Sequence, residues 1–311
     1  YLMHGLSDMK GWNRLKDLGI LEFIEQEKKR GRIINIGFSF HGNKDEFKAI
    51  VDDYGWDFCQ IQYNYLDEYF QAGREGLEYA ASKGLGIIIM EPLRGGSLVG
   101  RIPKEVQKIW DTASVKRTPA EWALRWIWNH PQVNVVLSGM SRESDIEENV
   151  RTADEAEPNS LTEEELAIIE KVKETYKSLM RVGCTECRYC MPCPFGVDIP
   201  TAFKYYNSKH MFRLKRANYH YLAFAGGFTG GKVSYAWLCR ECGKCEPKCP
   251  QNIPIREKLK EVSKDMDNKF IRAGLWVFRK FLKKKKEEKK EETKEENKAA
   301  AEEKKEQESK E

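Results

Sequence analysis

Long apolar runs are missing from this sequence. No segment approaches the roughly 20 residues that cross a bilayer, so no transmembrane segment is expected. Histidine is scarce, five in all, and His41, His130, His210 and His220 lack carboxylate or cysteine neighbours at metal-binding spacing, so they read as surface or packing residues. No motif for DNA or RNA accompanies the basic stretches, and nucleic acid is not an expected partner. Gly226-Gly227-Phe228-Thr229-Gly230-Gly231 lacks the Lys-Ser/Thr of a phosphate loop and reads as a flexible link. No secretory segment is visible, which points to a cytoplasmic setting and away from disulfides. Cysteine is missing from most of the chain: of nine, eight crowd into two short runs, and Cys59 stands in an apolar stretch as a buried small hydrophobe.

The two runs are Cys184-Thr-Glu-Cys187-Arg-Tyr-Cys190-Met-Pro-Cys193-Pro194 and Cys239-Arg-Glu-Cys242-Gly-Lys-Cys245-Glu-Pro-Lys-Cys249-Pro250. Two-residue gaps let three thiolates of one loop surround one corner of a cubane, and the proline after the fourth keeps the loop from continuing as a helix. Where two such runs occur together, the fourth cysteine of each ligates the other cluster. The expected assignment is therefore crossed: Cys184, Cys187, Cys190 and Cys249 on one [4Fe-4S] cluster, and Cys239, Cys242, Cys245 and Cys193 on a second. The first run is one residue shorter than the usual spacing, which singles out Cys193. Structural zinc and disulfides remain as alternatives. Zinc sites use two separated C-x2-C pairs and do not need a third cysteine per run, and disulfides need an oxidising compartment, so the pattern favours iron–sulfur.

At 311 residues the chain exceeds one typical domain, and eight tryptophans supply a core. Charge is uneven. From Lys204 to Lys280 there are 17 Lys and Arg against 6 Asp and Glu, a net of +11, while the whole chain carries +4. A four-thiolate cluster is anionic, so part of this excess is local compensation; the remainder suits an acidic electron-transfer protein. Ile271 to Leu282 is a basic amphipathic segment, expected to pack on the cysteine-bearing domain rather than lie on a membrane surface. Lys283 to Glu311 has no apolar residue larger than Ala and is expected to be disordered.

Between these features the chain alternates strands and helices. Strands are expected at Tyr1–His4, Arg32–Ser39, Asp57–Tyr63, Gly86–Met90 and Val133–Leu137, and helices at Asp17–Arg30, Lys44–Asp53, Ala72–Lys83, Thr118–His130 and from Asp145. Thr118-Pro119-Ala120-Glu121 and Thr162-Glu163-Glu164-Glu165 read as capping boxes, the second with Leu161 and Leu166 as a staple. The last helix runs to about Met180. Five strands, each followed by a helix, imply a parallel sheet, and alternation alone does not separate an open sheet from part of a barrel.

Several motifs, in order, resemble the aldo/keto reductases: His4 after its strand, Ile36-Gly-Phe-Ser39, Gln60-Ile-Gln-Tyr-Asn64, Met90-Glu-Pro-Leu-Arg-Gly-Gly96, Thr118-Pro-Ala-Glu-Trp-Ala-Leu-Arg-Trp126 and Glu148-Asn149. The cysteine runs resemble the ferredoxin-like extension of one bacterial and archaeal branch. The resemblance implies the C-terminal five βα units of a (β/α)8 TIM-type barrel, then a small α-helical ferredoxin-like iron–sulfur domain and the disordered tail. The implied boundaries are 1–180 for the partial barrel, 181–265 for the 4Fe-4S domain, 266–282 for the amphipathic segment and 283–311 for the tail. It further implies an NAD(P)H-dependent oxidoreductase acting on a small-molecule carbonyl or alcohol. His4 corresponds to the histidine that orients the carbonyl, and Ser39 and Gln60 to residues that bond the nicotinamide carboxamide. Leu93, Gly95 and Gly96 correspond to the pyrophosphate turn, and Ser141, Arg142, Glu148 and Asn149 to the adenosine end.

There are departures from the family pattern. Met90 stands where an aromatic often lies beneath the nicotinamide, Phe40 replaces a common Asn, and Arg142 is the only cation near the place of the NADP-specific Lys. Strands one to three, with the family's acid Tyr, its Lys and its Asp, correspond to positions before Tyr1, so the sequence is expected to be shortened at its N-terminus. Nicotinamide gives up a hydride, whereas each cluster takes one electron. A second expectation is therefore an electron-transfer module on a non-catalytic barrel scaffold.

Overall fold

The structure, a computed structural model, describes residues 1–275 apart from Arg101, Thr185, Cys187, Lys215, Thr229, Gly230 and Pro250. The disordered tail and most of the amphipathic segment expected from the sequence lie outside the described residues. Two compact units emerge, one of Tyr1–Cys187 with Lys204–Ala217, the other of Arg188–Phe203 with the chain from Asn218 onward.

The first unit is built on a five-stranded parallel sheet in sequence order: β1 (Leu2–Leu6), β2 (Gly37–Phe40), β3 (Phe58–Gln62), β4 (Gly86–Met90) and β5 (Val135–Val136). The register sets Phe38 beside Cys59 and Cys59 beside Ile87, and one step on Phe40, Ile61, Ile89 and Val136 follow each other across the sheet. Phe38, Phe40, Cys59, Ile61, Ile87 and Ile89 are all buried. This is the face covered by helices, as continuous apolar strands of a parallel sheet require. Trp12, Phe47 and Trp56 complete it, with the Phe38 and Trp56 rings 4.8 Å apart and those of Trp12 and Trp56 5.1 Å apart. Cys59 is fully buried there, its thiol pushed up to about 12 by desolvation.

The opposite face of the sheet is more open. Gln60, Ile88 and Met90 are half-buried, and Val135 is 43% exposed. In a closed barrel this face would be the filled interior. Among the described residues the sheet does not close, and β1 and β5 are its edges.

The elements follow the expected order with local corrections. The expected helix Asp17–Arg30 is α2 (Ile20–Lys29), which starts only after Gly19, whose φ is +85°, and an additional helix, α1 (Met9–Asp17), precedes it. Asp8 caps α1 by accepting from Gly11 N–H at 2.6 Å. The strand expected from Arg32 begins only at Gly37, because the Asp57 carboxylate takes the Ile36 N–H at 2.8 Å before the ladder starts. Helices α3 (Lys44–Asp53) and α4 (Gly73–Ser82) stand where expected, and a short α5 (Lys104–Trp110) is additional.

Thr118 caps α6 (Pro119–Trp128) by accepting from Glu121 N–H, but the reciprocal half of that box is not made. The Glu121 carboxylate turns to Arg125, at 2.9 Å. Helix α7 spans Glu143–Glu155. Helix α8 (Glu163–Ser178) has the full box, Glu165 N–H to Thr162 Oγ1 at 3.2 Å and Thr162 N–H to Glu165 at 2.8 Å. Leu161 is buried, while Leu166, its expected staple partner, stays exposed.

The second unit contains α10 (Ala217–Ala225) from its second residue, two short 3₁₀ turns at Ala236–Leu238 and Glu246–Lys248, and α11 (Ile255–Met266); α9 (Ile199–Met211) belongs to it by its first five residues. The stretch expected to be a flexible link starts as a tight helix end. Phe228 N–H reaches Ala223 O and Gly227 N–H reaches Phe224 O, the paired bonds of a Schellman cap. A Cβ on Gly226 would come within 2.6 Å of the Tyr235 hydroxyl. Among the described residues no helix is long and apolar enough to cross a membrane.

Candidate active site and cluster loops

The chain leaves β4 through Glu91-Pro-Leu-Arg-Gly-Gly96. Glu91, Arg94, Gly95 and Gly96 all have positive φ, between 52° and 81°. Left-handed backbone costs non-glycine residues of order 1 kcal/mol and must be held from outside. At Arg94 the holder is Asp67, whose Oδ2 accepts from Arg94 Nε at 2.7 Å, from Gln62 Nε2 at 3.2 Å and from Asn64 Nδ2 at 3.2 Å. Asn64, fully buried, also donates to Glu91 O at 3.3 Å and accepts from the N–H groups of Leu66 and Asp67. One carboxylate thus ties the loop after β3 to the turn after β4. In that turn the N–H groups of Gly95 and Gly96 have no acceptor among the described residues.

A cavity of about 630 Å³ opens beside the turn. Leu93, Gly95, Gly96, Ser141, Arg142, Glu148 and Asn149 line it, seven of the ten residues expected to hold a cofactor. The starts of α6 and α7 reach it through Thr118, Pro119 and Arg142. Helix N-termini carry partial positive charge, which suits an anion, while Glu91, Asp145 and Glu148 on the same wall oppose one. Arg142 is engaged by Asp145 at 2.6 Å, Asn149 donates to Ser138 Oγ at 3.0 Å, and Glu148 is bonded by Thr118.

The other expected residues form a row on the open face of the sheet. Ser39 and Gln60 are neighbours in the β2–β3 register, Ser39 is buried and accepts from Gly5 N–H at 2.8 Å, and Gln60 Nε2 stands 3.3 Å from Met90 Sδ. His4 is exposed on β1. These four residues do not line the cavity that gathers the other seven.

A second cavity, about 510 Å³, shares Glu91 and Gly95 with the first and is also lined by Asp67, Arg94, Lys173 and Cys184. Its floor holds an ion pair between Lys173 and Glu68 at 2.7 Å, both side chains under a tenth exposed. Burial pulls the Lys173 ammonium down, but bonds to Glu170 and Glu68 outweigh it and the net shift is upward. Asp67 and Glu68 carried no signal in the sequence reading.

Among the described residues the two cysteine runs agree in backbone at two positions. Glu186 and Glu241, each the second residue after its first cysteine, have φ of 56° and 55°. Each donates its N–H to that cysteine's sulfur at 3.4 Å, Glu186 to Cys184 and Glu241 to Cys239. The residue after the second cysteine is left-handed again, Arg188 at 62° and Gly243 at 74°. Each glutamate then pairs with a lysine six residues into the following helix, Glu186 with Lys204 at 3.8 Å and Glu241 with Lys260 at 2.7 Å.

Within the second unit, Cys193 lines one cavity of about 220 Å³ with Cys239, Cys242 and Cys245, joined by Cys190; Cys249 is not on its wall. Burial pushes the Cys245 thiol up, and Glu246, Cys239 and Cys193 act in the same direction, so these groups are near neighbours. Cys193 and Cys190 therefore both gather with the later run. Among the described residues no three His, Cys, Asp or Glu side chains converge as the ligands of a single ion would. Cubane ligands each bind a different iron and stand farther apart, so thiols spread around a cavity and N–H···S bonds fit a cluster. Of the other set, Cys184 falls in the first unit, Cys190 and Cys249 in the second, and Cys187 lies outside the described residues.

Comparison with known proteins agrees with both halves. Residues 12–174 match the aldo/keto reductase family model, and residues 183–253 match a 4Fe-4S dicluster domain. L-galactose dehydrogenase of Arabidopsis thaliana is 31% identical over 119 residues, 33% of this chain and 36% of the plant protein. Among solved structures, the holo form of an aldo-keto reductase from Bacillus halodurans aligns with a TM-score of 0.45 and 24% identity, covering 55% of this chain and 57% of the other. An aldo-keto reductase from Klebsiella pneumoniae in complex with NADPH aligns at 0.39 and 20%, covering 49% and 52%. The chain thus spans about a third of the plant relative and little more than half of the bacterial ones. Because the reductase model alone accounts for more than half of the residues, the chain belongs to the aldo/keto reductase family, and it carries a 4Fe-4S dicluster domain behind the reductase part.

Proposed function

We propose that the protein is a cytoplasmic NAD(P)H-dependent oxidoreductase acting on a small carbonyl or alcohol, with a reductase part at 1–180 and two [4Fe-4S] clusters held by 181–265. The observation that carries this reading is the single cavity that gathers Leu93, Gly95, Gly96, Ser141, Arg142, Glu148 and Asn149 beside two unengaged backbone N–H groups. Those N–H groups suit a pyrophosphate, which backbone can approach closely at glycine. Ser141, Arg142, Glu148 and Asn149 would meet the adenosine end. Ser39, Gln60 and Met90 would meet the nicotinamide, and His4 would orient the substrate oxygen. A bound NAD(P)H supplies the hydride; the chain's own residues bind, orient and polarise.

The cluster ligands in this reading are Cys184, Cys187, Cys190 and Cys249 for one cluster, and Cys239, Cys242, Cys245 and Cys193 for the other. A second reading makes the protein an electron-transfer module that serves an acidic redox partner. It is favoured by Cys184 on the wall of the cavity that shares Glu91 and Gly95 with the cofactor cavity, and by the +11 excess over Lys204–Lys280.

Titration with NADPH tests the first reading: its fluorescence should shift on binding, and substitution of Gly96 by Val should abolish the shift. No shift with the wild-type protein would sink the reading. Binding and turnover separate in this reading: residues 1–311 are expected to bind NADPH but to oxidise it no faster with a panel of aldehydes and quinones than without. His4 stands exposed on an open sheet, and errors of an ångström in positioning cost about 10²-fold in rate. Turnover that depends on His4 would overturn that expectation.

A further inference from the structure

The two cysteine loops agree in backbone at those two positions but differ in where each obtains its arginine. In the first, the left-handed residue after the second cysteine is itself Arg188, whose guanidinium reaches Asp198 at 3.4 Å. In the second, that position is Gly243, and a Cβ there would lie 3.7 Å from the guanidinium of Arg256, which comes from the start of α11. Arg256 lines the same cavity as Cys193, Cys239, Cys242 and Cys245.

Glu246, the residue after Cys245, clamps this arginine. Its Oε1 accepts from Arg256 N–H at 3.0 Å, and its Oε2 accepts from Nε at 3.0 Å and lies 2.8 Å from the terminal nitrogen. Arg256, from α11, is thus on the cavity wall, and Glu246, from the cysteine loop and not on that wall, is bound to it. Arg256 and Cys245 are close enough to interact electrostatically.

We propose that the Arg256–Glu246 pair sets the reduction potential of the cluster held by Cys193, Cys239, Cys242 and Cys245. Reduction adds one negative charge to an already anionic group, so a fixed cation on the cavity wall favours the reduced form. The Glu246 carboxylate bound to that cation offsets part of its effect. The two partners must then act with opposite sign, which damage to the loop would not produce. The proposal rests on the ligand assignment above.

The experiment is an anaerobic redox titration of the full chain with reconstituted clusters, followed by EPR. Iron content of the wild type and of Cys245→Ala is measured first, which tests the ligand assignment by itself. Arg256→Gln should lower the midpoint of one cluster by up to about tenfold in reduced-to-oxidised ratio, about 59 mV for one electron. Glu246→Gln should raise the same midpoint, and Arg256→Lys should leave it near wild type because the charge remains. The other cluster should stay unmoved in all three and respond instead to Arg188→Gln. If Arg256→Gln fails to load, Glu246→Gln alone decides, since it leaves Arg256 in place. Midpoints that move in the same direction in both Gln variants, or a loaded Glu246→Gln that does not move, would overturn the proposal.

Discussion

Asp67→Asn should loosen the turn that borders the cofactor cavity while leaving the sheet intact. The Arg94 and Asp67 side chains are 22% and 14% exposed, and their Nε–Oδ2 bond is 2.7 Å. A hydrogen bond to a charged group contributes about 1.5–3 kcal/mol. Asn at the same place still offers an acceptor oxygen to Gln62 and Asn64, so part of the hub survives. Arg94 loses its counter-charge, and with it the contact that holds its left-handed backbone, itself costing of order 1 kcal/mol. The net loss of stability should be about 1–2 kcal/mol, read as a lower midpoint in urea with unchanged slope. If the Gly95 and Gly96 N–H groups owe their placement to this hub, NADPH affinity should fall about five- to tenfold, since 1.4 kcal/mol is a factor of ten. Lower stability with unchanged affinity would show that Asp67 serves the fold and not the turn. No change in either would refute the hub altogether.

Other expectations follow from the same geometry. Cys193→Ala should remove the same EPR signal as Cys245→Ala, and Cys249→Ala the other one; self-contained runs would give the reverse pairing for Cys193 and Cys249. His130 sits beneath Tyr63, with Nε2 3.3 Å from the hydroxyl and Nδ1 2.9 Å from Trp126 O. Burial is the main cause of its lowered pKa, with Arg74 adding to the effect and bonds to the Trp126 and Ile127 backbone opposing it. The unfolded histidine titrates near 6.5, so the stability this site contributes is complete above about pH 6.5 and is lost as pH falls toward the folded value. His130→Phe should flatten urea midpoints over that acid range; an unchanged slope would refute the buried neutral imidazole. Thr162→Ala should cost about 1 kcal/mol by breaking the full capping box of α8, read as a lower midpoint in urea.

The strands and helices legible in the sequence were those with a periodic apolar face or a short continuous apolar run. Lys44–Asp53 was placed to the residue by apolar residues at every third to fourth position, and Gly86–Met90 by its continuous apolar run, although its alternate residues Ile88 and Met90 are only half-buried. Helix α1 escaped because Trp12 is its only buried residue, and one aromatic makes no period. Helix α5 is seven residues long, below the length at which periodicity shows. The start of β2 was misplaced because Asp57, from another part of the chain, captures Ile36 N–H, and no local signal announces a capture over 21 residues.

In the site, glycines and cysteines spoke for themselves, since their spacing is their chemistry. Asp67 did not: it is an ordinary loop carboxylate until the fold brings Arg94 to it. The left-handed Glu186 and Glu241 were equally silent, because glutamate gives no sign of positive φ.

The matched cysteine loops also bear on how such a domain can change. The first run is one residue shorter between its third and fourth cysteines, yet both loops keep the same torsions at their first half and the same lysine–glutamate tie to the helix beyond. The extra residue of the second run falls in the 3₁₀ turn Glu246–Lys248, downstream of the three thiols that the loop presents together. That interval is where the two copies differ in length, while the described torsions upstream of it agree. A duplicated ancestor could therefore drift in length at this one point while both copies went on gripping the same kind of inorganic core, and a strict C-x3-C ruler laid along the chain would count one copy and miss its twin.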